Sequence, residues 1–110
     1  MTTVIGFTNG DRCWLMGDTV TTDGNTSVLT TTPKVWRISS EVVAGFAGDW
    51  RGGQLAIQAL LDLDTVAPDC GIRDMVEAIG AAYAEADYKN DDTTLLIGHA
   101  GQLYEVQPNL

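Results

Sequence analysis

The sequence is poor in basic residues and has no long apolar run. Six lysines and arginines stand against fifteen aspartates and glutamates, which gives a net charge of −9. A surface that binds nucleic acid needs clustered positive charge, so this composition argues against a nucleic-acid partner. No apolar run approaches the roughly 20 residues of a membrane-spanning helix, and no signal peptide is evident. We therefore expect an acidic, soluble, cytoplasmic protein that contacts no membrane.

Cysteine and histidine are scarce as well. Cys13 and Cys70 are far apart and lack metal-ligand spacing, and His99 is the one histidine. We interpret the cysteines as reduced thiols and His99 as an ordinary strand-end side chain. The acidic pair at 91–92 lacks the glycine and alternating ligands of a calcium loop, and the glycine-rich segment 45–53 lacks the lysine of a phosphate-binding loop. We therefore expect neither a metal nor a cofactor.

What the sequence does contain suits one packed domain. Hydrophobic residues make up 45% of the 110 residues and charged residues 19%. This balance is typical of a globular core and not of a disordered chain. There is no internal repeat, no low-complexity tract and no linker. We therefore expect residues 1–110 to form a single domain.

Turn signals between β-branched and aromatic runs predict three hairpins. Their strands are expected at 3–7 and 12–16 around Asn9-Gly10, at 34–38 and 41–47 around Ser39-Ser40, and at 93–98 and 102–106 around Ala100-Gly101. The segment 19–32, rich in threonine, aspartate, asparagine and glycine, is predicted to be a loop or a weak edge ribbon.

Apolar residues then recur with helical spacing in two segments. The first predicted helix runs from 49 to 64 with Asp49 as its N-cap, and the second from 72 to 88. Strands followed by helices and again by strands indicate an α+β fold of antiparallel sheets with helices layered on them. In a chain this short, the second helix and the last two strands are expected to leave apolar surface exposed, which favours association with further protein.

Loop length fixes which residues lie opposite one another in a hairpin. A two-residue loop in the second hairpin places Lys34 opposite Gly45. In the first hairpin, a three-residue loop places Thr2 opposite Asp18, whereas a two-residue loop makes them diagonal neighbours on opposite faces. The sequence leaves both registers of the first hairpin open.

These residues could form a nucleophilic centre at the start of the chain. We expect removal of Met1 before the small Thr2, and the freed α-amine, with a pKa of about 7.7–8, can act as a base for the threonine hydroxyl. Asp18 would orient the site, and Lys34 would favour loss of the hydroxyl proton. The amide of Gly45 could donate to an oxyanion. Taken singly, Asp18 and Lys34 have simpler interpretations as a turn residue and a solvated charge.

Five segments carry a family resemblance in order and at similar spacing, and they are residues 2–6, 17–18, 23–26, 34–38 and 44–49. Together they resemble the proteasome β-subunit family of N-terminal-nucleophile hydrolases, most of all its bacterial HslV branch. The resemblance implies the four-layer αββα sandwich of that family. It also implies a C-terminally truncated version, because the family fold continues into further strands and helices.

The resemblance assigns roles to individual residues. Thr2 resembles the nucleophile, Asp18 and Lys34 its activating pair, and Gly45 the oxyanion-hole amide. Six further residues resemble substrate-binding positions, with Thr22 as the backbone clamp and the others lining the first specificity pocket: Thr21, Thr22, Thr32, Trp36, Val43 and Ala47.

The implied function is a threonine-type endopeptidase that cleaves peptide or unfolded protein substrates through an acyl-enzyme. The family works as a self-compartmentalising, homo-oligomeric ring assisted by an AAA+ unfoldase ATPase. One alternative is a catalytically inactive or truncated structural or assembly subunit. Another is an amidase acting on small molecules, against which the position of Lys34 argues.

Overall fold

The computed structural model of the chain describes residues 4–10, 12–17, 20–23, 26–29, 35–89 and 93–107, with 20–23 and 26–29 described by their backbone. Its elements are, in chain order, β1 (Val4–Thr8), β2 (Cys13–Gly17), β3 (Val20–Asp23), β4 (Thr26–Leu29), β5 (Val35–Arg37), β6 (Val42–Ala47), α1 (Trp50–Val66), α2 (Ile72–Glu85), β7 (Thr94–His99) and β8 (Gln102–Val106). The order of strands, two helices and strands confirms the predicted α+β class. The short strands β3 and β4 form a ribbon where a loop or weak ribbon was predicted.

The described elements are arranged in layers around an antiparallel sheet with the order β5-β6-β7-β8. The two helices pack against each other, and α1 packs against β6. The β1–β2 hairpin contacts the sheet through β6, β7 and β8. Three layers of the expected four-layer sandwich are thus present in the described part of the chain: helices, sheet and hairpin. None of the described helices is both long and apolar enough to cross a membrane.

The core lies between the sheet and the two helices. Its largest fully buried apolar side chains come from β6, β7 and both helices: Phe46, Leu60, Ile79, Tyr83, Leu95 and Ile97. Burial of each such side chain contributes about 1.5–3 kcal/mol, which makes this layer the main source of stability. Most apolar residues of α2, β7 and β8 contribute to this core, against the expectation that these elements leave apolar surface exposed. Val76 of α2 does fit the expectation, because it is 38% exposed.

Among the described residues, most of the exposed large apolar side chains lie on the β1–β2 hairpin. Side chains alternate in direction along a strand, so the residues that flank the sheet-facing Gly6 and Leu15 point away from the sheet. Four of them, Ile5, Phe7, Trp14 and Met16, are between 40% and 57% exposed. We call them the hairpin's outer face. Within it the Phe7 and Trp14 rings stack with centroids 5.4 Å apart.

Helix α1 begins where the sequence predicted. Asp49 is its N-cap, and the carboxylate accepts a hydrogen bond from the amide of Gly52 at 3.2 Å. This bond satisfies one of the amides that have no partner within the helix. The helix ends at Val66, one residue before its C-cap Ala67 and two before Pro68.

Helix α2 ends three residues earlier than predicted, at Glu85 instead of 88. Asp87 has a positive φ of 52°, which reverses the chain. The amide of Tyr88 then donates to the carbonyl of Tyr83 at 2.9 Å. Tyr88 therefore fits the helical spacing of apolar residues in the sequence, but it lies beyond the end of the helix.

The third hairpin turns at Ala100-Gly101 as predicted, with His99 opposite Gln102. Its loop residues Ala100 and Gly101 both have positive φ, 50° and 80°. This is the backbone of the two-residue turn whose twist matches that of the strands it joins.

Both registers considered for the first hairpin are wrong. Val4 lies opposite Gly17, and the amide of Asn9 donates to the carbonyl of Arg12 at 3.2 Å. The turn therefore lies between Asn9 and Arg12, one position later than a turn at Asn9-Gly10, and Gly10 has a φ of 96°. The side chain of Asn9 stabilises this tip by accepting from the amide of Arg12 at 2.9 Å.

The register predicted for the second hairpin is also wrong, by one residue. Ile38 donates to the carbonyl of Val42 at 2.9 Å, which leaves a three-residue loop, 39–41. Gly45 consequently lies opposite Val35 and not opposite Lys34. The hydroxyl of Ser39 accepts from the amide of Glu41 at 3.2 Å, and this local bond favours the longer loop.

Gly53→Ala tests how closely α1 lies on the sheet. A Cβ at this position would overlap the ring of Phe46, so we expect a loss of about 1–3 kcal/mol in the free energy of unfolding despite alanine's better helix propensity. Urea denaturation measures it. Gly71→Ala is the control, because a Cβ there meets nothing within 4 Å. Equal stability of Gly53→Ala and wild type would contradict this packing.

Candidate active site

A cleft of about 250 Å³ is bordered by residues of β1, β6, β7 and β8. Its walls include Val4 of β1, Gly45 and Ala47 of β6, and Thr94 and Glu105 of the neighbouring strands. Gly45 is buried and lies between β5 and β7, opposite Val35 and Leu96. Because Gly45 has no side chain, its backbone itself forms part of the wall of the cleft. The beginning of β1 and the Gly45 segment therefore border the same cavity.

The described strand β6 presents three candidate residues on its hairpin side. Val43, Gly45 and Ala47 alternate with Ala44 and Phe46, which belong to the core. Gly45 and Ala47 border the cleft described above. Val43 borders a different cavity, at the other end of the strand. The structure thus brings Ala47, but not Val43, to the Gly45 cleft.

Trp36 lies on the opposite face of the sheet from Gly45. It pairs with Ala44 across β5 and β6, and its ring stacks on Phe46 with centroids 5.6 Å apart. Cross-strand partners point to the same side of a sheet, so Trp36 faces the helices. The structure does not bring this residue to the Gly45 cleft.

Several candidate residues are described by their backbone or lie outside the described residues. Thr21 and Thr22 are on β3, opposite Val28 and Ser27. Four candidates lie outside the described residues and their roles stay predictions: Thr2, Asp18, Thr32 and Lys34.

Asp49 anchors the turn between the Gly45 segment and α1. Its carboxylate accepts a hydrogen bond from the hydroxyl of Tyr88, and its carbonyl accepts one from Thr93 at 3.2 Å. Gly48, the residue before it, has a positive φ of 103°. Sequence reasoning found the cap but missed Tyr88 and Thr93, because both come after the helices in sequence and meet Asp49 only in the fold.

Tyr83 supports the same turn from α2. Its hydroxyl is buried and donates to the carbonyl of Gly52 at 2.8 Å. Burial, followed by the neighbouring Tyr88 and Asp49, raises the pKa of Tyr83 above its ordinary value. The sequence did contain a signal for this bond, namely a tyrosine within an apolar helical stripe. A buried phenol needs a hydrogen-bond acceptor, so such a tyrosine predicts a partner in the core.

The two thiols of the chain do not have the environment of a nucleophile. Burial, followed by the carboxylate of Asp74, raises the pKa of Cys70 and keeps it protonated. Cys13 donates to the carbonyl of Gln102 at 3.3 Å. Within the described ranges, no group of three or more histidine, cysteine, aspartate or glutamate residues could hold a metal ion.

Comparison with known proteins bears on the fold. No model of a known protein family matches the sequence, and no curated protein matches it. Among solved structures, eukaryotic HslV from Trypanosoma brucei matches 98% of this chain with a TM-score of 0.71 and 20% sequence identity. The chain has the HslV fold. The match covers 62% of the HslV chain, so this chain spans less than two thirds of that length.

The HslV fold confirms the resemblance predicted from the sequence at the level of architecture. At 20% identity the similarity establishes the fold and leaves activity as a separate question. Within that fold, the described residues bring the proposed oxyanion glycine, Gly45, to a cleft bordered by the start of β1.

Tyr83→Phe tests the anchoring of α1. Loss of the hydroxyl leaves the carbonyl of Gly52 without this donor, so we expect a loss of about 1–3 kcal/mol in the free energy of unfolding at pH 7. The wild type should also lose stability above about pH 10, because the unfolded tyrosine ionises there while the raised pKa keeps the folded one neutral.

In Tyr83→Phe, the free energy of unfolding should fall less between pH 8 and pH 10.5 than it does in the wild type. Urea denaturation at the two pH values measures this difference. Tyr104→Phe is the control, since its hydroxyl bonds to an exposed partner, Gln102. A Tyr83→Phe protein with the same alkaline loss as wild type would show that Tyr83 does not contribute to it.

Proposed function

We propose that this chain is a threonine-type endopeptidase subunit whose nucleophile is Thr2 after removal of Met1. The observation that carries the proposal is the shared cleft of Val4 and Gly45. Thr2 precedes Val4 by two residues, which span at most about 7 Å of extended chain. A Thr2 hydroxyl that reaches the Gly45 backbone across this cleft would have the arrangement that acyl transfer requires. The HslV fold supports this interpretation.

The proposed reaction follows from the groups involved. The α-amine of Thr2 takes the proton of its own hydroxyl, and the oxygen attacks the substrate's peptide carbonyl. The amide of Gly45 stabilises the developing oxyanion. The peptide C–N bond then breaks, the leaving amine takes the proton, and an ester to Thr2 remains. Water, activated by the same amine, hydrolyses the ester and restores the free hydroxyl.

The remaining roles are proposed from the sequence. Asp18 and Lys34 would lower the cost of deprotonating the hydroxyl, Lys34 through its positive charge. Of the proposed pocket residues, Ala47 has direct structural support because it borders the Gly45 cleft. Its small side chain leaves room for a substrate side chain there. Thr21, Thr22 and Thr32 are proposed from the resemblance alone. Trp36 and Val43 lie away from this cleft and are not part of the proposed pocket.

We propose further that the domain, residues 1–110, acts in the cytoplasm within a ring of identical subunits. An AAA+ unfoldase would supply unfolded polypeptide as substrate. The hairpin's outer face supports a contact with further protein, since apolar side chains at this density are typical of interaction surfaces. A ring with enclosed sites would restrict cleavage to unfolded chains.

Thr2→Ala tests the nucleophile. We expect hydrolysis of an unfolded protein such as casein to fall at least about 10³-fold, because the residual rate then depends on binding and oxyanion stabilisation alone. Intact mass spectrometry verifies Met1 removal. Thr65→Ala, at an exposed position of α1, is the control and should keep full activity.

Retention of more than a few per cent of activity by Thr2→Ala would refute the assignment. A wild-type chain that has lost Met1, assembles and cleaves no peptide bond would favour the inactive structural subunit instead. Urea denaturation of each variant separates loss of activity from loss of fold.

A further inference from the structure

A second cleft, of about 360 Å³, lies at the end of the sheet away from the Gly45 cleft. It is bordered by the turns of three hairpins, namely β1–β2, β5–β6 and β7–β8. Arg12 contributes from the first turn, Arg37 from the end of β5, and Ser40 and Glu41 from the second turn. Trp14 of β2 also borders the cleft. The mechanism proposed above uses none of these residues.

The charge of this cleft is opposite to that of the chain. Only six basic residues occur in a protein of net charge −9, and two of them line this one cavity. In the described part of the chain, neither Arg12 nor Arg37 has an ion pair or a side-chain hydrogen bond. Both guanidinium groups therefore keep their donors available.

We infer that this cleft binds a small oxyanion, a ligand carrying a phosphate or carboxylate group. A guanidinium presents a planar set of donors that matches two oxygens of such a group. Arg12 and Arg37 supply two of these sets, and the hydroxyl of Ser40 adds a donor that carries no charge. The volume lies within the range of small-molecule sites.

Hydrogen bonds between the turns hold the walls of the cleft in place. The hydroxyl of Thr8 donates to the carbonyl of Gly101, and the thiol of Cys13 donates to that of Gln102 at 3.3 Å. The amide of Ala100 donates to the carbonyl of Glu41 at 3.3 Å. Because these hydrogen bonds already fix the walls of the cleft, ligand binding costs little conformational entropy.

Glu41 opposes the binding of an anion and thereby provides a sharp test. Its carboxylate lies in the lining together with the two arginines, so the formal side-chain charge of the cleft is positive but reduced. If the ligand is an anion, Glu41→Gln should strengthen binding. If the cleft instead selects a ligand that also carries an ammonium group, the same change should weaken it.

Isothermal titration calorimetry on the full 110-residue chain at constant ionic strength tests the inference, with inorganic phosphate and succinate as separate probes. We expect one saturable site for at least one probe. Arg12→Gln and Arg37→Gln should each weaken binding about tenfold or more, as loss of a charge-assisted bond implies. Glu41→Gln should strengthen it several-fold.

Arg51→Gln is the matched control, since it makes the same charge change at an exposed position on α1, outside the cleft. Binding of phosphate alone would identify phosphate-bearing ligands, and binding of succinate would identify carboxylates. No saturable binding of either probe overturns the inference. So does an equal loss in Arg51→Gln, or weaker binding by Glu41→Gln.

Discussion

The contact between Phe46 and Gly53 fixes how α1 lies on the sheet. A side chain at position 53 would overlap the ring, so the helix can approach β6 this closely only with glycine there. Trp36 stacks on Phe46 with ring centroids 5.6 Å apart, and Trp50 meets it edge-on at 5.5 Å. Strands β5 and β6 and the first turn of α1 are thereby joined around one ring.

The candidate site depends on that packing. Phe46 lies between Gly45 and Ala47 in the chain but faces the other side of the sheet, so anchoring its ring also holds the two cleft residues. Asp49 then turns the chain into α1, with Tyr88 and Thr93 bonded to it. The backbone at Gly45 is thus supported from the core, which is the condition for a preorganised oxyanion donor.

Element types were predictable from the sequence, whereas registers were not. Helical spacing and the Asp49 cap located α1, and the paired positive φ angles of Ala100 and Gly101 fit the turn predicted for the third hairpin. In the other two hairpins the competing registers differ by one residue, and we expect them to differ little in free energy. Side-chain hydrogen bonds of Asn9 and Ser39 favour the observed loops, and the sequence pattern gives little indication of such local bonds.

The register also decides part of the candidate site. With Lys34 opposite Gly45, Trp36 would have paired with Val43 and shared the face of Gly45. The observed shift by one residue pairs it with Ala44 and turns it toward the core. The resemblance assigned Gly45 and Ala47 to one site, and both reach one cleft because they lie on the same face of β6. The residues that anchor Asp49 come from two other segments, which no spacing within the motif could indicate.

The bonds that attach the first hairpin to the sheet have a consequence for the order of folding. Thr8 and Cys13 meet carbonyl groups 93 and 89 residues further along the chain. The strands β1 and β2 can pair with each other locally. The sheet surface on which they dock does not exist until β7 and β8 have formed, and closing so long a loop is entropically costly. The β1–β2 hairpin is therefore expected to dock last, with its sheet-facing side chains in water until then. Late protection of the Val4–Thr8 amides in pulse-labelled hydrogen exchange during refolding would reveal this order, and early protection from docking would exclude it.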